Sequence, residues 1–164
     1  MNEIVKAVKE DTKHIEFHSA GEGPEGAKLQ ALIQRYGLNE TFFLQGHLED
    51  MLPFYRSLDI YFNTSVHEGI PMSILEAMAH GFPVIAPDVG GISEVVSNGE
   101  DGYLIENRDL KVFAEKCFLL YENRELRRQM AGAAKEKVTR SFSVANIAAQ
   151  YHELCLNVVN KKLG

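Results

Sequence analysis

Two glutamates with seven residues between them are the side chains best suited to chemistry in this chain. Glu68 lies in a polar loop, and Glu76 lies on the helix that follows this loop. A carboxylate accepts two hydroxyl hydrogen bonds, so each glutamate suits the adjacent hydroxyls of a ribose or a hexose. Between them, the backbone N–H groups near Ile70, Met72 and Ser73 open the helix, and a helix N-terminus binds phosphate. An acid, a phosphate site and a second acid form the layout that a nucleotide-sugar requires.

Spacing alone also allows an ordinary structural explanation for both glutamates. Glu68 can be a solvated loop acid and Glu76 an acid on the outer face of a helix, because pairs of glutamates at such a distance are common. The context of Glu76 argues against this, since its neighbours at 74–75 and 77–78 are apolar and predict a mostly buried helix. A charge on such a helix requires a partner or a solvent-filled cleft.

A strand, a loop, a helix and a second strand must position these residues. The apolar run at 60–62 predicts a buried strand, and a polar loop follows it. Pro71 suits the first turn of a helix. We expect this helix to reach Ala79, because Gly81 is a typical stop just beyond a helix end. The run at 84–86 then predicts another buried strand. Such a unit builds parallel sheet, whose ligands bind at the carboxyl ends of the strands.

Strands and helices alternate over the rest of the chain until only helices remain. Further strands are expected at 15–20, 41–44 and 103–105. Further helices are expected at 2–10, 29–36, 53–58 and 92–96, and three more after the N-caps Asp109, Asn123 and Ser143. This order predicts an α/β fold, a Rossmann-like doubly wound parallel sheet with a helical C-terminal tail, and we expect residues 1–164 to form a single domain.

Two glycine-containing loops are weaker candidates for the site. The sequence Gly-Glu-Gly-Pro at 21–24 follows a strand, but it lacks the third glycine of a dinucleotide-binding fingerprint, so we interpret it as a turn. The stretch 88–91 follows the strand at 84–86 and contains Gly90 and Gly91. It either lines the ligand crevice or serves only the geometry of the loop.

Composition limits the classes of function. The chain has 164 residues and a net charge of −6, which argues against nucleic-acid binding through a basic face. No apolar run approaches the roughly 20 residues that span a bilayer, and we expect no secretory signal. We therefore expect a cytoplasmic protein in which Cys117 and Cys155, on apolar helix faces, are buried and reduced. The six histidines lack the spacing of metal ligands, so we expect no metal and no cofactor.

Residues 64–86 resemble the signature of the group-one (family four) glycosyltransferases, and the resemblance extends over almost the whole chain. Within the signature, the matching residues are Ser65, 68–71, 75–79, Gly81 and 83–86. Outside it, the matching residues are 21–24, 44–46, Gly90, Gly91, Glu94, 98–99, 102–104 and Asp109.

The resemblance implies a fold and a set of roles. Members of this family have two Rossmann-like domains that face each other across a cleft, the GT-B fold, and this chain is similar to the carboxyl-terminal domain, which binds the sugar donor. The family retains the anomeric configuration and generally works without a metal ion. By this resemblance Glu68 is the catalytic residue that contacts the transferred hexose, and Glu76 binds the ribose hydroxyls. The backbone N–H groups of Met72 and Ser73 hold the diphosphate. The substrate-binding set is Glu76, Gly69, Ile70, Met72 and Ser73, with His47 and Leu48 at the base.

The chain departs from the family pattern in two respects. The family's domain opens with a strand and a Gly-Arg…Lys-Gly segment, whose cations neutralise the leaving diphosphate, whereas this chain begins at the helix after it. The N-terminal acceptor domain is also absent. We therefore expect this chain alone to be inactive, with the acceptor domain supplied by a missing segment or by a separate chain.

The absent strand also affects the sheet. Without this central strand, the strands near Phe17 and Ile60 either pair with each other or leave an unpaired edge, through which a homodimer could form. The acceptor domain would be the route to any membrane association of this cytoplasmic protein.

Two alternative functions remain open from the sequence. The first is a non-catalytic nucleotide-sugar-binding subunit of a split transferase, which also agrees with both glutamates. The second is a sugar-nucleotide epimerase-like domain on the same two-domain plan, although residues 64–86 match the transferases better.

Overall fold

A computed structural model describes the backbone of residues 15–163 and the side chains of residues 15–159. The helix predicted at 2–10 lies outside the described residues. The chain divides into two compact units, with the boundary between Arg56 and Ser57. We call them unit 1 and unit 2 and describe each by itself.

Unit 1 is a small α/β unit with two parallel strands. Its elements are β1 (Phe17–Ala20), α1 (Gly26–Tyr36), β2 (Phe42–Gly46) and α2 (Leu52–Arg56). Phe17 pairs with Phe42 in the ladder, and the two rings stack with their centroids 4.6 Å apart. Ile33 and Leu38 are buried beside this sheet. Gly37 ends α1 in the left-handed conformation, which glycine adopts without steric cost.

Unit 2 contains the sheet that carries both glutamates. Its elements are β3 (Tyr61–Phe62), α3 (Met72–Ala79), β4 (Val84–Pro87), α4 (Ile92–Val95), β5 (Gly102–Ile105), a 3₁₀ turn (Glu106–Arg108), α5 (Leu110–Glu122), α6 (Arg124–Ser141) and α7 (Val144–Leu163). The strands are parallel in the order β3-β4-β5.

Apolar side chains cover both faces of this sheet, as a doubly wound fold requires. All four residues of β4 are buried. Val84 belongs to the cluster that includes Ile74 and Met78 of α3, whereas Ile85 belongs to the opposite cluster with Phe113 and Leu120 of α5. This alternation follows from the two-residue period of a strand. The predicted α/β fold with a helical C-terminal tail is confirmed.

The pairing of the strands near Phe17 and Ile60 has a definite answer in the described residues. There β1 pairs only with β2, and β3 pairs only with β4. Phe17 and Ile60 therefore do not lie on paired strands, so the direct pairing that we considered from the sequence does not form.

The three predicted N-caps of the C-terminal helices agree with the structure. Asp109 Oδ1 accepts hydrogen bonds from the Lys111 and Val112 amides, and Asn123 Oδ1 accepts one from the Leu126 amide. The last predicted N-cap is also confirmed, because the Ser143 hydroxyl accepts from the Asn146 amide at 3.3 Å. Pro71 differs by one position, because it is the N-cap of α3 and not its first helical residue.

The tail helix α7 is more exposed than its apolar face predicts. Large side chains exposed on it are Val144, Tyr151, Leu154, Leu156, Val158 and Val159. Cys155 is exposed as well, so the prediction that both cysteines are buried is wrong for this one. In the described residues, no other element covers the face of α7 on which Cys155 lies. In that part of the chain, none of the helices has the length and apolarity needed to cross a membrane.

A buried polar cluster ties the turn before β5 to α6. Asp101 is only 2% exposed, and its Oδ1 accepts a hydrogen bond from the Ser97 amide at 2.8 Å. The Lys137 ammonium lies 3.2 Å from the other carboxylate oxygen and donates to the Ser97 hydroxyl at 2.8 Å. The carboxylate therefore satisfies a backbone donor and a cation together.

We predict that Asp101→Ala lowers the free energy of unfolding by about 2–3 kcal/mol, because it leaves buried donors without an acceptor. Glu136→Ala, which removes an exposed acid paired with Arg140 on α6, is the control and costs at most about 0.5 kcal/mol. Urea denaturation measures both values. Equal effects of the two substitutions would contradict the role given to Asp101.

The two thiols should differ in reactivity. Burial raises the pKa of Cys117 to about 12, so this thiol stays protonated at pH 8, whereas Cys155 is exposed. With a thiol-reactive disulfide reagent at pH 8, we expect one group to react quickly in the native protein and two after denaturation. Cys155→Ser should abolish the quick reaction. Quick reaction of both thiols in the folded protein would contradict this assignment.

Candidate functional site

The loop that carries Glu68 begins in the sheet and then turns sharply. The Asn63 amide donates to the Ile85 carbonyl at 2.9 Å, which continues the ladder one residue past β3. The Asn63 side-chain oxygen then accepts from the Ser65 amide at 2.7 Å and turns the chain away from the sheet. Glu68 is half-buried in the loop that follows. The loop therefore emerges at the carboxyl end of β3, as predicted.

A second loop, after β4, holds the backbone of this first loop. The Gly91 amide donates to the Gly69 carbonyl at 3.1 Å and lies 3.4 Å from the Glu68 carbonyl oxygen. Gly90 has a φ of 57°, and a Cβ atom on it would collide with the Glu68 carbonyl. A Cβ on Gly91 would lie 2.7 Å from the Gly69 carbonyl oxygen. These glycines thus act through loop geometry, because they allow the two backbones to approach closely.

The first turn of α3 leaves two backbone donors open. The Ile74 and Leu75 amides donate to the Pro71 carbonyl, and no side chain caps this helix end. Within residues 15–159, the amides of Met72 and Ser73 have no hydrogen-bond acceptor. Met72 is exposed and Ser73 is half-buried. Free amides and the helix dipole make this end of α3 suitable for an anion.

The two glutamates flank these amides from different elements. Ile74, Ala77 and Met78 are buried, so α3 packs against the sheet as its apolar neighbours predicted. Glu76 points away from that side and is exposed. Its carboxylate is therefore accessible to a ligand.

The structure adds Tyr61, for which the sequence predicted only a place in an apolar strand. Its pKa is raised, chiefly by burial and also by the charges of Glu68 and Glu76, while a side-chain hydrogen bond with Ser73 opposes the shift. The Tyr61 ring packs against the buried cluster that contains Ile74 and Met78, so this residue lies beside α3. The signal that could have found it is a hydroxyl in a strand otherwise made of purely apolar residues.

His47 and Leu48, which the resemblance places at the base, belong to unit 1. They follow β2 directly, after Gly46 with a φ of 67°. The Gly21 amide donates to the Gly46 carbonyl at 2.7 Å and ties the turn at 21–24 to this point. His47 is exposed and Leu48 is half-buried. Their backbone lies at the carboxyl end of a parallel strand, which is the position predicted for a ligand contact.

Other features in the described residues do not point to a ligand. Residues 15–163 contain no group of three histidine, cysteine or acidic side chains that could hold a metal ion. An open hollow of about 410 Å³ lies along α6, lined by Gly132, Lys135, Glu136, Thr139 and Arg140. None of the predicted site residues lines it. Its lining residues lie on one helix and carry charges of both signs, so we interpret the hollow as an ordinary depression of the surface.

The family of the chain follows from comparison with known proteins. Residues 1–123 match the family described as Glycosyl transferases group 1. This match covers most of the chain and includes β1 to β5 and both glutamates, so the chain belongs to this family. The predicted resemblance is confirmed.

Individual relatives agree with this assignment. The N-acetyl-alpha-D-glucosaminyl L-malate synthase of Bacillus anthracis is 31% identical over 139 residues, which are 85% of this chain and 36% of that protein. A mutant of S. aureus TarM, crystallised in complex with fondaparinux, alpha-GlcNAc-glycerol and UDP, is 28% identical with a TM-score of 0.85. That match covers 93% of this chain and 31% of the TarM chain.

A solved domain provides a third comparison. The C-terminal domain of LpcC, a glycosyl transferase group 1 family protein from Francisella tularensis, is 30% identical with a TM-score of 0.65. The match covers 72% of this chain and 62% of the LpcC domain. The chain therefore spans about a third of the full-length relatives and a larger share of an isolated domain.

We predict that Gly90→Ala displaces the backbone at Glu68, because the added Cβ and the Glu68 carbonyl cannot occupy the same space. Gly99→Ala is the matched control, since Gly99 has a φ of 84° but open space around it. Both substitutions strain a left-handed backbone by about 1 kcal/mol. Amide chemical shifts should move at Glu68 and Gly69 in the first variant only. Unchanged shifts there in Gly90→Ala would contradict the contact.

Proposed function

We propose that residues 1–164 form a single nucleotide-sugar-binding domain, the donor-binding domain of a retaining glycosyltransferase. The whole enzyme would transfer a hexose from a nucleotide-sugar to a hydroxyl group of a glycan, a lipid or another acceptor. The observation that carries this proposal is the first turn of α3 with its open amides, which Glu68 precedes in the loop and Glu76 follows on the exposed side of the helix. Family membership and the UDP in the TarM complex support it.

The proposed roles in unit 2 follow from the chemistry of each group. Glu68, held at the carboxyl end of β3, accepts hydrogen bonds from hydroxyls of the transferred hexose and acts in catalysis. Glu76, exposed on α3, accepts from the two ribose hydroxyls. The Met72 and Ser73 amides donate to the diphosphate between these sugars. Gly69, which has no side chain, leaves the loop backbone open to the donor.

Two remaining contacts complete the proposed substrate-binding set. Ile70 is 43% exposed beside the first turn of α3, where its side chain can pack against the donor. In unit 1, the backbone groups of His47 and Leu48 contact the nucleotide base. Backbone recognition of a base depends on the position of the strand end and not on the side chains that stand there.

Electrostatics limits what this chain can do alone. A diphosphate carries negative charge, and the two glutamates beside its binding site add more. Amides and a helix dipole bind such an anion, but the leaving diphosphate gains charge in the transition state and requires further stabilisation. We propose that the remaining parts of the enzyme, in the same or a separate chain, supply cations and the acceptor site, and that the complete protein works in the cytoplasm.

Calorimetric titration with UDP, GDP and ADP sugars tests donor binding. We expect one of them to bind and Glu76→Ala to weaken it about tenfold, which corresponds to the loss of hydrogen bonds to a charged group. Glu115→Ala, an exposed acid on α5, is the control and should leave the affinity unchanged. Absence of binding by all three sugar donors would contradict the proposed function.

The 164-residue chain should bind its donor without transferring the sugar. Release of free nucleotide in the presence of simple glycan acceptors measures transfer, and we expect no increase over the donor's spontaneous hydrolysis. Appreciable transfer by the purified chain would contradict the proposed requirement for further cations and an acceptor site.

A further inference from the structure

We propose that Asn63 is a positioning residue of the donor site, whose side-chain oxygen holds the first turn of the loop that carries Glu68. The inference rests on the proposed function, in which Glu68 binds the transferred hexose, and adds a residue to it. Asn63 is half-buried and stands at the carboxyl end of β3, where the apolar run of the strand ends.

Two hydrogen bonds connect Asn63 to the sheet and to the loop. Its amide donates to the Ile85 carbonyl of β4 at 2.9 Å. Its side-chain Oδ1 accepts from the Ser65 amide at 2.7 Å, which closes an Asx turn. Because a backbone amide can only donate, the side-chain atom that faces Ser65 is the oxygen. The sheet therefore sets the direction in which the chain leaves β3.

Glu68 lies between this turn and the second fixed point of the loop. That second point is Gly69, whose carbonyl accepts from the Gly91 amide at 3.1 Å. Ahead of Glu68, Val66 is 52% exposed and His67 is exposed, so packing contributes little to holding this segment. A short segment with both ends fixed has few conformations, whereas release of one end restores much of its freedom. The Asx turn and the contact with Gly91 therefore locate Glu68 together.

The turn makes a specific demand on the side chain at position 63. Aspartate carries an oxygen at the same place as Asn63 Oδ1, so it forms the same turn. Glutamine carries the same amide on a longer side chain, so its oxygen does not close the turn in this geometry. Alanine removes the acceptor altogether. These three substitutions separate the position of the acceptor from the polarity of the side chain.

The test compares two affinities of the 164-residue chain by calorimetry, one for a nucleotide-sugar and one for the corresponding free nucleoside diphosphate. The nucleotide-sugar is the one that binds among UDP-glucose, GDP-glucose and ADP-glucose. The ratio of the two affinities reports the contacts of the hexose, because effects on the nucleotide and the diphosphate largely cancel.

We expect Asn63→Gln and Asn63→Ala each to lower this ratio about fivefold, the scale of a lost hydrogen bond to a charged group. Asn63→Asp should keep the ratio of the wild type, because the turn is retained. Glu68→Ala should lower the ratio at least as much as Asn63→Gln. Combining these last two substitutions should have no further effect, since both act through the same carboxylate.

Asn98→Ala is the matched control. The Asn98 side-chain oxygen also accepts from a backbone amide, that of Leu104 at 3.1 Å, but in a different turn of unit 2. This variant should have the ratio of the wild type. Amide chemical shifts of the ligand-free protein give a second measurement. The shifts of His67 and Glu68 should move in Asn63→Gln and stay nearly unchanged in Asn63→Asp.

Three results would each overturn the inference: an unchanged ratio in Asn63→Gln, equal losses in Asn63→Asp and Asn63→Gln, or independent effects of Asn63→Gln and Glu68→Ala. An unchanged ratio in Glu68→Ala would contradict the proposed hexose contact and the inference with it. A wild type that binds none of the three donors would contradict the proposed function. A loss in Glu68→Ala with Asn63→Gln unaffected would contradict this inference alone.

Discussion

A backbone contact between two loops determines the position of Glu68. β3 has only two residues, so its own ladder cannot fix the long loop that follows it. The Gly91 amide, in the loop after the neighbouring strand β4, donates to the Gly69 carbonyl and approaches that of Glu68. Parallel pairing of β3 and β4 brings both strand ends to one edge of the sheet, and the absence of side chains on Gly90 and Gly91 lets the loops touch. Every proposed role of Glu68 depends on this contact.

The helix α3 connects the same edge to the core. Its buried side, with Ile74 and Met78, packs on the sheet, while its N-terminal amides and Glu76 remain accessible. The Tyr61 ring of β3 packs against the same buried cluster as this side of α3. A change in how α3 packs would therefore also move the amides that we propose for the diphosphate. Packing and ligand binding are coupled through this one helix.

The sequence was sufficient for the strands and α-helices of the described residues and for the fold class. Helix ends were predictable because Asp109, Asn123 and Ser143 are strong capping residues, and β4 was predictable because a fully buried strand is a short continuous apolar run. The spatial arrangement of the site residues was harder to predict from the sequence. Glu68 and Gly90 are far apart in the sequence, and no local pattern indicates that their backbones meet.

Burial was also hard to predict where it depends on the rest of the chain. The apolar face of α7 indicated packing, yet Tyr151 and Cys155 are exposed in the described part of the molecule. Amphipathic periodicity shows that a helix has an apolar face, but it does not show what covers that face. The 3₁₀ turn after β5 was also not predictable. Asn107 and Arg108 both have a φ of 52°, and no glycine marks this left-handed backbone in the sequence.

A crystal structure of this chain with UDP would show whether the end of α3 and its flanking glutamates form the donor site. We expect diphosphate oxygens about 3 Å from the Met72 and Ser73 amides. We also expect the ribose hydroxyls to donate hydrogen bonds to the Glu76 carboxylate. UDP bound at another place, with these two amides left to solvent, would contradict this donor site.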